Sequence, residues 1–312
     1  MNEEIRMSNN PMACDITTGV CGDAGDDVLE IIDLNPPQKT VKLYYVTDPI
    51  CSHCWALEPV MRRFEAEYGQ YFKFQTVVGG LLKGWDGFAD VKNGIGKPAD
   101  VAGHWREVGE HSRMPIDGSL WLDNYIQSSY PPSRVFKIIQ QKDAQLGHVF
   151  LRRAREAVFV FNRNIGDESE MIDIVNHMGL NGEAIVSEAG TDTGLELMEQ
   201  DFALAASLGV RGFPTIVMVN EDNKGVKIVG PRSIDTYIQA LEQALGAQGL
   251  QAKPVPSLTQ LLDKEVLLFS KEIEVMYDLE PSDVNAFLQQ ELSADAFSLK
   301  EILGEKYIEL VR

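Results

Sequence analysis

The chain has 312 residues, of which 44% are hydrophobic, and a formal net charge of −19 at pH 7. That length buries a full core as one enlarged domain or two, and no apolar run approaches the roughly 18 residues that a membrane-spanning helix needs. The acidic surplus opposes unspecific binding to nucleic acid or to anionic lipid, because long-range repulsion works against both.

Residues 1–38 are rich in Asp, Glu, Gly, Asn and Pro and carry no apolar period, so they read as an irregular acidic arm ending at NPPQK. Val41 to Thr47 (VKLYYVT) follows as a buried strand closed by Asp48-Pro49. The period then changes. Leu57, Val60, Met61, Phe64 and Tyr68 fall at helical spacing up to Gly69, and Tyr71 to Val78 returns to strand character before Gly79-Gly80. Residues 41–78 are therefore a βαβ unit with parallel strands and a right-handed crossover.

From about 83 to 207 helical spacing dominates, in segments over 134–145, 149–161, 168–178, 182–188 and 193–208. Thr215 to Asn220 and Val226 to Val229, joined by EDNKG, read as a β-hairpin. Ser233 caps a helix that turns Ile234, Tyr237, Ile238, Leu241 and Leu245 inward and stops at Gly246. Residues 247–257 have the composition of a linker. Three short helical segments and two β-like runs around Gly304 complete the chain, in the order of a winged helix. Residues 258–312 hold five basic residues against twelve acidic ones, so a docking or packing module is expected there rather than a DNA reader.

The chemistry centres on VTDPICSHCWALEP, residues 46–59. The start MNEEIRMSNNPMACD lacks the basic and apolar regions of a secretory signal, which makes the cytoplasm the expected location. There a C-x-x-C pair is expected to be catalytic, redox-sensing or metal-binding rather than a structural staple. Cys51 falls at the start of the helix, where unpaired N–H groups and the helix dipole favour a thiolate. It is the expected nucleophile of thiol–disulfide exchange, and Cys54, one turn on, the resolving thiol with the higher pKa. His53 is expected either to support the Cys51 thiolate with a proton or charge, or simply to be a solvated residue at a helix start.

A zinc site would require further ligands such as Cys14 and Cys21, whose C-x6-C spacing is looser than that of a zinc knuckle; no metal or other cofactor is expected. Those two cysteines suit a regulatory disulfide, a weak metal site or two free thiols. The second half of the exchange site is VRGFPTIVMV at 210–219, where Pro214 opens a strand at a place suited to a cis X-Pro bond.

CSHC at the mouth of a βαβ unit and GFPT before a ββα unit, separated by a helical stretch, resemble the DsbA family of thioredoxin-fold oxidoreductases. Pro59, five residues after Cys54, matches the kink proline of thioredoxin's active-site helix. The resemblance spans about 41–246. It implies an α/β thioredoxin fold over 39–246 with a large DsbA-like helical insertion at about 83–207, plus a small winged-helix-like α+β appendage at 258–312.

By the same resemblance Cys51 is the nucleophile, Cys54 the resolver and Pro214 the cis-proline, while Phe213, Thr215 and Trp55 contact substrate. Ser52-His53 departs from the Pro-His of strongly oxidising members. Asp48 is either a buried acid that helps deprotonate Cys54 or a turn residue.

The acidic arm, CWALEP and the C-terminal appendage look most like the cytosolic, FrnE-like relatives that include adaptors presenting the transcription factor Spx to the ClpXP protease. The expectation is a cytosolic disulfide oxidoreductase or isomerase acting on protein or peptide thiols through Cys51 and Cys54. The alternative is a ClpXP/Spx-type adaptor with a transcription factor or protease as partner, and neither reading involves nucleic acid or membrane. A glutathione-dependent transferase would begin its helix with a lone Ser or Cys, so the complete pair counts against it.

Overall fold

A computed structural model describes residues 14–15, 20–21, 40–293 and 296–311. Contacts divide the chain into two units, 1–38 and 39–312. In the first, strands β1 (Cys14–Asp15) and β2 (Val20–Cys21) pair antiparallel with Cys14 opposite Cys21. The rest of the expected irregular arm lies outside the described residues.

The second unit is built on a four-stranded sheet ordered β4-β3-β5-β6, from β3 (Val41–Thr47), β4 (Phe72–Val78), β5 (Thr215–Val219) and β6 (Gly225–Val229). β3 and β4 are parallel; β3–β5 and β5–β6 are antiparallel. Helix α1 (Ser52–Tyr68) makes the crossover between the parallel pair. Alternation along β3 serves both faces of the sheet. Val41, Leu43 and Tyr45 pack with Leu57, Phe64 and Tyr237, whereas Val46 meets Val77 and Ala205 on the other side.

Between β4 and β5 the chain forms α2 (Pro98–Ser112), α3 (Leu120–Asp123), α4 (Tyr130–Lys142), α5 (Ala144–Arg155), α6 (Glu168–His177), α7 (Gly182–Ala189) and α8 (Asp192–Ser207). Helix α4 begins earlier than its apolar spacing predicts, because Pro131 and Pro132 sit in its first turn, where a missing N–H costs nothing. Asp143 ends α4 and caps α5, its carboxylate accepting from the N–H groups of Gln145 and Leu146. A π-helical turn over Glu156–Val160 extends α5. The spacing of the sequence does not single out α2 and α3. Helix α8 covers the β4 edge, and its buried Asp201 accepts both the Val78 N–H and the Lys137 ammonium at 2.8 Å. Helix α9 (Ile234–Leu245) follows the β5–β6 hairpin and stops at Gly246, whose φ of 65° is left-handed.

The C-terminal residues form α10 (Leu258–Lys264), β7 (Leu267–Phe269), α11 (Ser270–Tyr277), α12 (Val284–Glu291), β8 (Phe297–Ile302) and β9 (Glu305–Leu310), with sheet order β7-β9-β8. Strand β7 is not anticipated by the sequence reading. It has a double role: Leu268 joins the segment's own core with Leu262, Ile273 and Ile308, whereas Leu267 and Phe269 point into the large core of the helical insertion.

The whole segment lies against α1 through α11. Arg152 holds Glu272, Arg113 holds Glu274 with bonds of 2.7 and 2.8 Å, and Arg62 holds Glu265 at 2.7 Å. The stretch before it is pinned as well, since the Lys253 N–H donates to the Glu67 carbonyl and the Gln251 N–H to the Tyr71 hydroxyl. Among the described residues no helix is long and apolar enough to cross a membrane.

Candidate active site

Strand β3 ends in a turn that Asp48 organises. Its carboxylate accepts the N–H groups of Ile50 (3.1 Å) and Leu81 (2.7 Å) and the Ser129 hydroxyl (2.8 Å), and so ties together three separate stretches of chain. Burial pushes its pKa up to about 6. With its oxygens occupied in this way, the carboxyl is a turn organiser.

The turn delivers Cys51 to the N-cap of α1 in extended conformation, where its sulfur accepts the Cys54 N–H at 3.3 Å. The Cys51 and Cys54 sulfurs are 2.6 Å apart and share a hydrogen bond. Cys54 is wholly buried and Cys51 only 5% exposed. Two thiols this close titrate as a coupled pair, whose two proton losses belong to the pair rather than to either residue.

The order of the two thiols differs from expectation. Cys51 is pushed well up, first by burial and then by the hydrogen bond with Cys54. Burial acts on Cys54 too, but the hydrogen bond with Cys51, the Arg155 charge, the Thr47 hydroxyl and the Asp48 N–H outweigh it and bring Cys54 below the ordinary thiol value. In this conformation the buried Cys54 is the more acidic of the two thiols. The backbone N–H of Cys54 at the helix start and the Arg155 charge both lower Cys51, but burial outweighs them.

That cation comes from α5. Arg155 is 1% exposed; it donates to Glu58 at 2.8 Å, to the Thr47 hydroxyl and to the Asp48 carbonyl, while its Nε has no partner among the described residues. Sequence reasoning missed it, although a signal was present. Arg155 lies four residues after Leu151 and three before Val158, on the stripe of α5 that faces the core, and a charge on such a stripe needs a buried counterpart.

His53 is half-buried with its ring against that of His104 (5.5 Å, 69°). Burial, then the neighbouring His104 and His111, lower its pKa, so it is neutral at pH 7 and brings no positive charge to Cys51. His104 is a second neighbour that the linear motif does not disclose.

Opposite the pair, the Phe213–Pro214 peptide bond is cis. The Pro214 carbonyl accepts the Gly230 N–H at 2.8 Å, and the buried Thr215 turns its hydroxyl to the Gly212 carbonyl, also at 2.8 Å. β5 is flanked on both sides by β3 and β6, so an added strand has no free edge on Thr215, contrary to the expected contact. Phe213 is half-buried and lies over Gly79, where a Cβ would come within 1.9 Å of its ring. That glycine makes the approach of the two loops possible.

Trp55 is not at the substrate face. It is fully buried, donates to the Pro115 carbonyl at 3.0 Å and packs on Phe159 and Phe269, because the helical insertion and the C-terminal segment close over that side of α1. Among the described residues no cluster of three or more His, Cys, Asp or Glu could hold a metal. The side chains of Cys14 and Cys21 lie outside that description.

A dithiol at the N-terminus of the crossover helix of a βαβ/ββα sheet, facing a cis-proline loop, defines a thioredoxin-fold protein of the DsbA type. A family model described as Thioredoxin matches residues 44–239. A putative protein disulfide isomerase from Nitrosomonas europaea shares this fold, with a TM-score of 0.58 and 20% identity over 68% of this chain and all of that one. A probable DsbA oxidoreductase from Streptomyces coelicolor shares it too, with a TM-score of 0.52 and 15% identity over 67% of this chain and 92% of that one.

The chain is 30% identical to the ClpXP adapter protein SpxH of Halalkalibacterium halodurans over 286 residues, 90% of this chain and 91% of that protein. It is 29% identical to the ClpXP adapter protein SpxH of Bacillus subtilis over 272 residues, 85% and 86% of the two. The chain belongs to this thioredoxin family and, within it, to the SpxH proteins.

Proposed function

We propose that the protein is a cytoplasmic adaptor that presents a partner of the Spx transcription-factor type to the ClpXP protease. The observation that carries this reading is the extent of the SpxH similarity. It covers 90% of the chain and so reaches well beyond the thioredoxin match at 44–239. The C-terminal segment, seated on the back of α1, offers a second surface on the same rigid scaffold, as an adaptor that joins two partners requires. Reconstituted degradation of Spx by ClpXP tests it. The chain is expected to accelerate Spx loss severalfold, and an unchanged rate at saturating chain would sink the reading.

A second reading, thiol–disulfide exchange, is supported by the sulfur pair 2.6 Å apart opposite the Pro214 loop. The shared proton lets the anion move to Cys51, which attacks a substrate disulfide; one substrate sulfur bonds to Cys51 while the other leaves as a thiolate and takes a proton from water. Cys54 then attacks the Cys51 sulfur and expels the second substrate thiol. The substrate disulfide gains two electrons and the protein dithiol loses two. Cys54→Ser is expected to accumulate the mixed disulfide and Cys51→Ser to form none. If Cys54→Ser traps nothing from a model disulfide, exchange is excluded and the adaptor reading stands alone.

A further inference from the structure

Between the first turn of α4, the start of α6, the end of α7 and the start of α8 lies a cavity of about 490 Å³. It shares no lining residue with the space beside Cys51. Its apolar lining comes from the buried Val135, Met171 and Val186, and its one cation is Arg134.

Arg134 is half-buried, and its Nε is wholly enclosed with no hydrogen-bond partner among the described residues. A guanidinium N–H taken out of water needs an acceptor, so an enclosed one without a partner marks a place for a ligand atom. The carboxylates of the neighbouring helices are engaged elsewhere. Glu170 and Asp173 pair with Arg163, and Glu188 pairs with Lys142. Glu168 lines the cavity but is exposed at its rim. Two helix starts add charge of the same sign as Arg134. The N-cap Asp167 of α6 turns its carboxylate to the Asn124 amide at 3.3 Å, and the N-cap Thr191 of α8 donates its hydroxyl to the Glu188 carbonyl at 2.7 Å. Neither side chain caps its own helix, so the first N–H groups of both helices keep their partial positive charge. The negative end of α7 also borders the cavity, but its Val186 and Ser187 carbonyls are occupied by the Gly190 N–H.

We propose that this cavity binds a small monocarboxylate with an apolar stem, its carboxylate on Arg134 and its stem on Val135, Met171 and Val186. A planar guanidinium matches a carboxylate in shape, and the pairing is strong where water is excluded. One unpaired guanidinium with the Glu168 carboxylate at the rim favours a single negative charge over the two of a phosphate. The volume suits a small molecule, since such pockets span about 300–1,000 Å³, and the apolar lining adds affinity in proportion to the stem it covers. The site is independent of the chemistry at Cys51.

The test uses the full chain at neutral pH with hexanoate, its neutral counterpart 1-hexanol, acetate and inorganic phosphate. Calorimetry is expected to give hexanoate about tenfold tighter binding than 1-hexanol, the size of one charged hydrogen-bonded contact. Acetate, which lacks four of the methylenes, is expected to bind about tenfold more weakly than hexanoate, or weaker still. Arg134→Gln is expected to bring hexanoate and 1-hexanol within about twofold of each other, and Arg134→Lys to restore part of the preference. Equal binding of hexanoate and 1-hexanol to the parent protein overturns the proposal, and so does a preference that survives Arg134→Gln. Phosphate that displaces hexanoate at equal concentration overturns the monocarboxylate class.

A second measurement locates the ligand even if Arg134→Gln fails to fold. Met171 lines the cavity and is 3% exposed, whereas Met218 is buried in the core against α1 and α9. In the parent chain, isotope-labelled at its methionine methyl groups, hexanoate is expected to move the Met171 resonance, assigned with Met171→Leu, and to leave that of Met218 in place. Binding that leaves the Met171 resonance unmoved overturns the site.

Discussion

Arg152 lies over the indole of Trp55, its guanidinium carbon 4.7 Å from the ring centroid, and the same guanidinium holds Glu272 through two bonds of 2.8 Å. The residue that follows the second cysteine is thus clamped to the first turn of α11. Phe269 closes the contact edge-on to Trp55 at 5.8 Å. The active-site helix and the C-terminal segment share one buried interface, so strain or binding at the segment bears directly on α1.

Replacing Glu272 tests that coupling. Arg152 is 2% exposed, and Glu272→Gln leaves it with Glu156 as its remaining ion-pair partner among the described residues. Breaking one side of a buried ion pair costs about 3 kcal/mol or more. The expected result is a lower urea midpoint, a changed Trp fluorescence and faster proteolysis within 247–257. An unchanged midpoint would show that the pair contributes nothing net.

Arg155 is expected to set the acidity of the cysteine pair. Arg155→Met should raise the first thiol pKa, since a nearby opposite charge favours the thiolate, and Arg155→Lys should restore much of the difference. Ultraviolet thiolate absorbance against pH reads this directly. A merely structural role would lower the melting temperature of Arg155→Met and leave the titration in place.

Gly79→Ala places a methyl group within 1.9 Å of the Phe213 ring. The loops must separate, at a cost of about 1–3 kcal/mol, and the Pro214 loop must move away from Cys51. A thermal melt lowered by several degrees, accompanied by slower reaction of Cys51 with a model disulfide, is the expected outcome. If the melt and the reactivity both match the parent protein, the close approach has no role.

Asp48 sets a pH dependence with a definite sign. Its folded pKa of about 6 lies above its unfolded value, so between about pH 4 and pH 6 the folded state binds more protons and stability falls as pH rises. Over that window the loss amounts to about 3 kcal/mol. Relative to Asp48→Asn, the parent protein should lose ground between pH 4 and pH 6 and stay level above. Parallel stability curves for the two proteins would contradict the burial of an ionising carboxyl.

The strand, helix, strand run at 41–78, the hairpin after 215 and the positions of Cys51, Cys54 and Pro214 were legible in the chain because each follows from local rules: period, turn chemistry and the tolerance of proline at a strand start. Helices α2 and α3 were not singled out. Their apolar residues, among them Trp105 and Trp121, serve an aromatic cluster assembled from distant stretches rather than one clean stripe.

The sequence by itself determined the thioredoxin framework, the two-cysteine motif and the loop that faces it. Only the tertiary structure decided which of the two thiols is the more acidic, that Trp55 is buried rather than offered to substrate, and that Arg155 stands behind the pair. The reason is physical: electrostatic effects depend on distance through space and on burial, and Arg155 lies about a hundred residues from Cys54 along the chain.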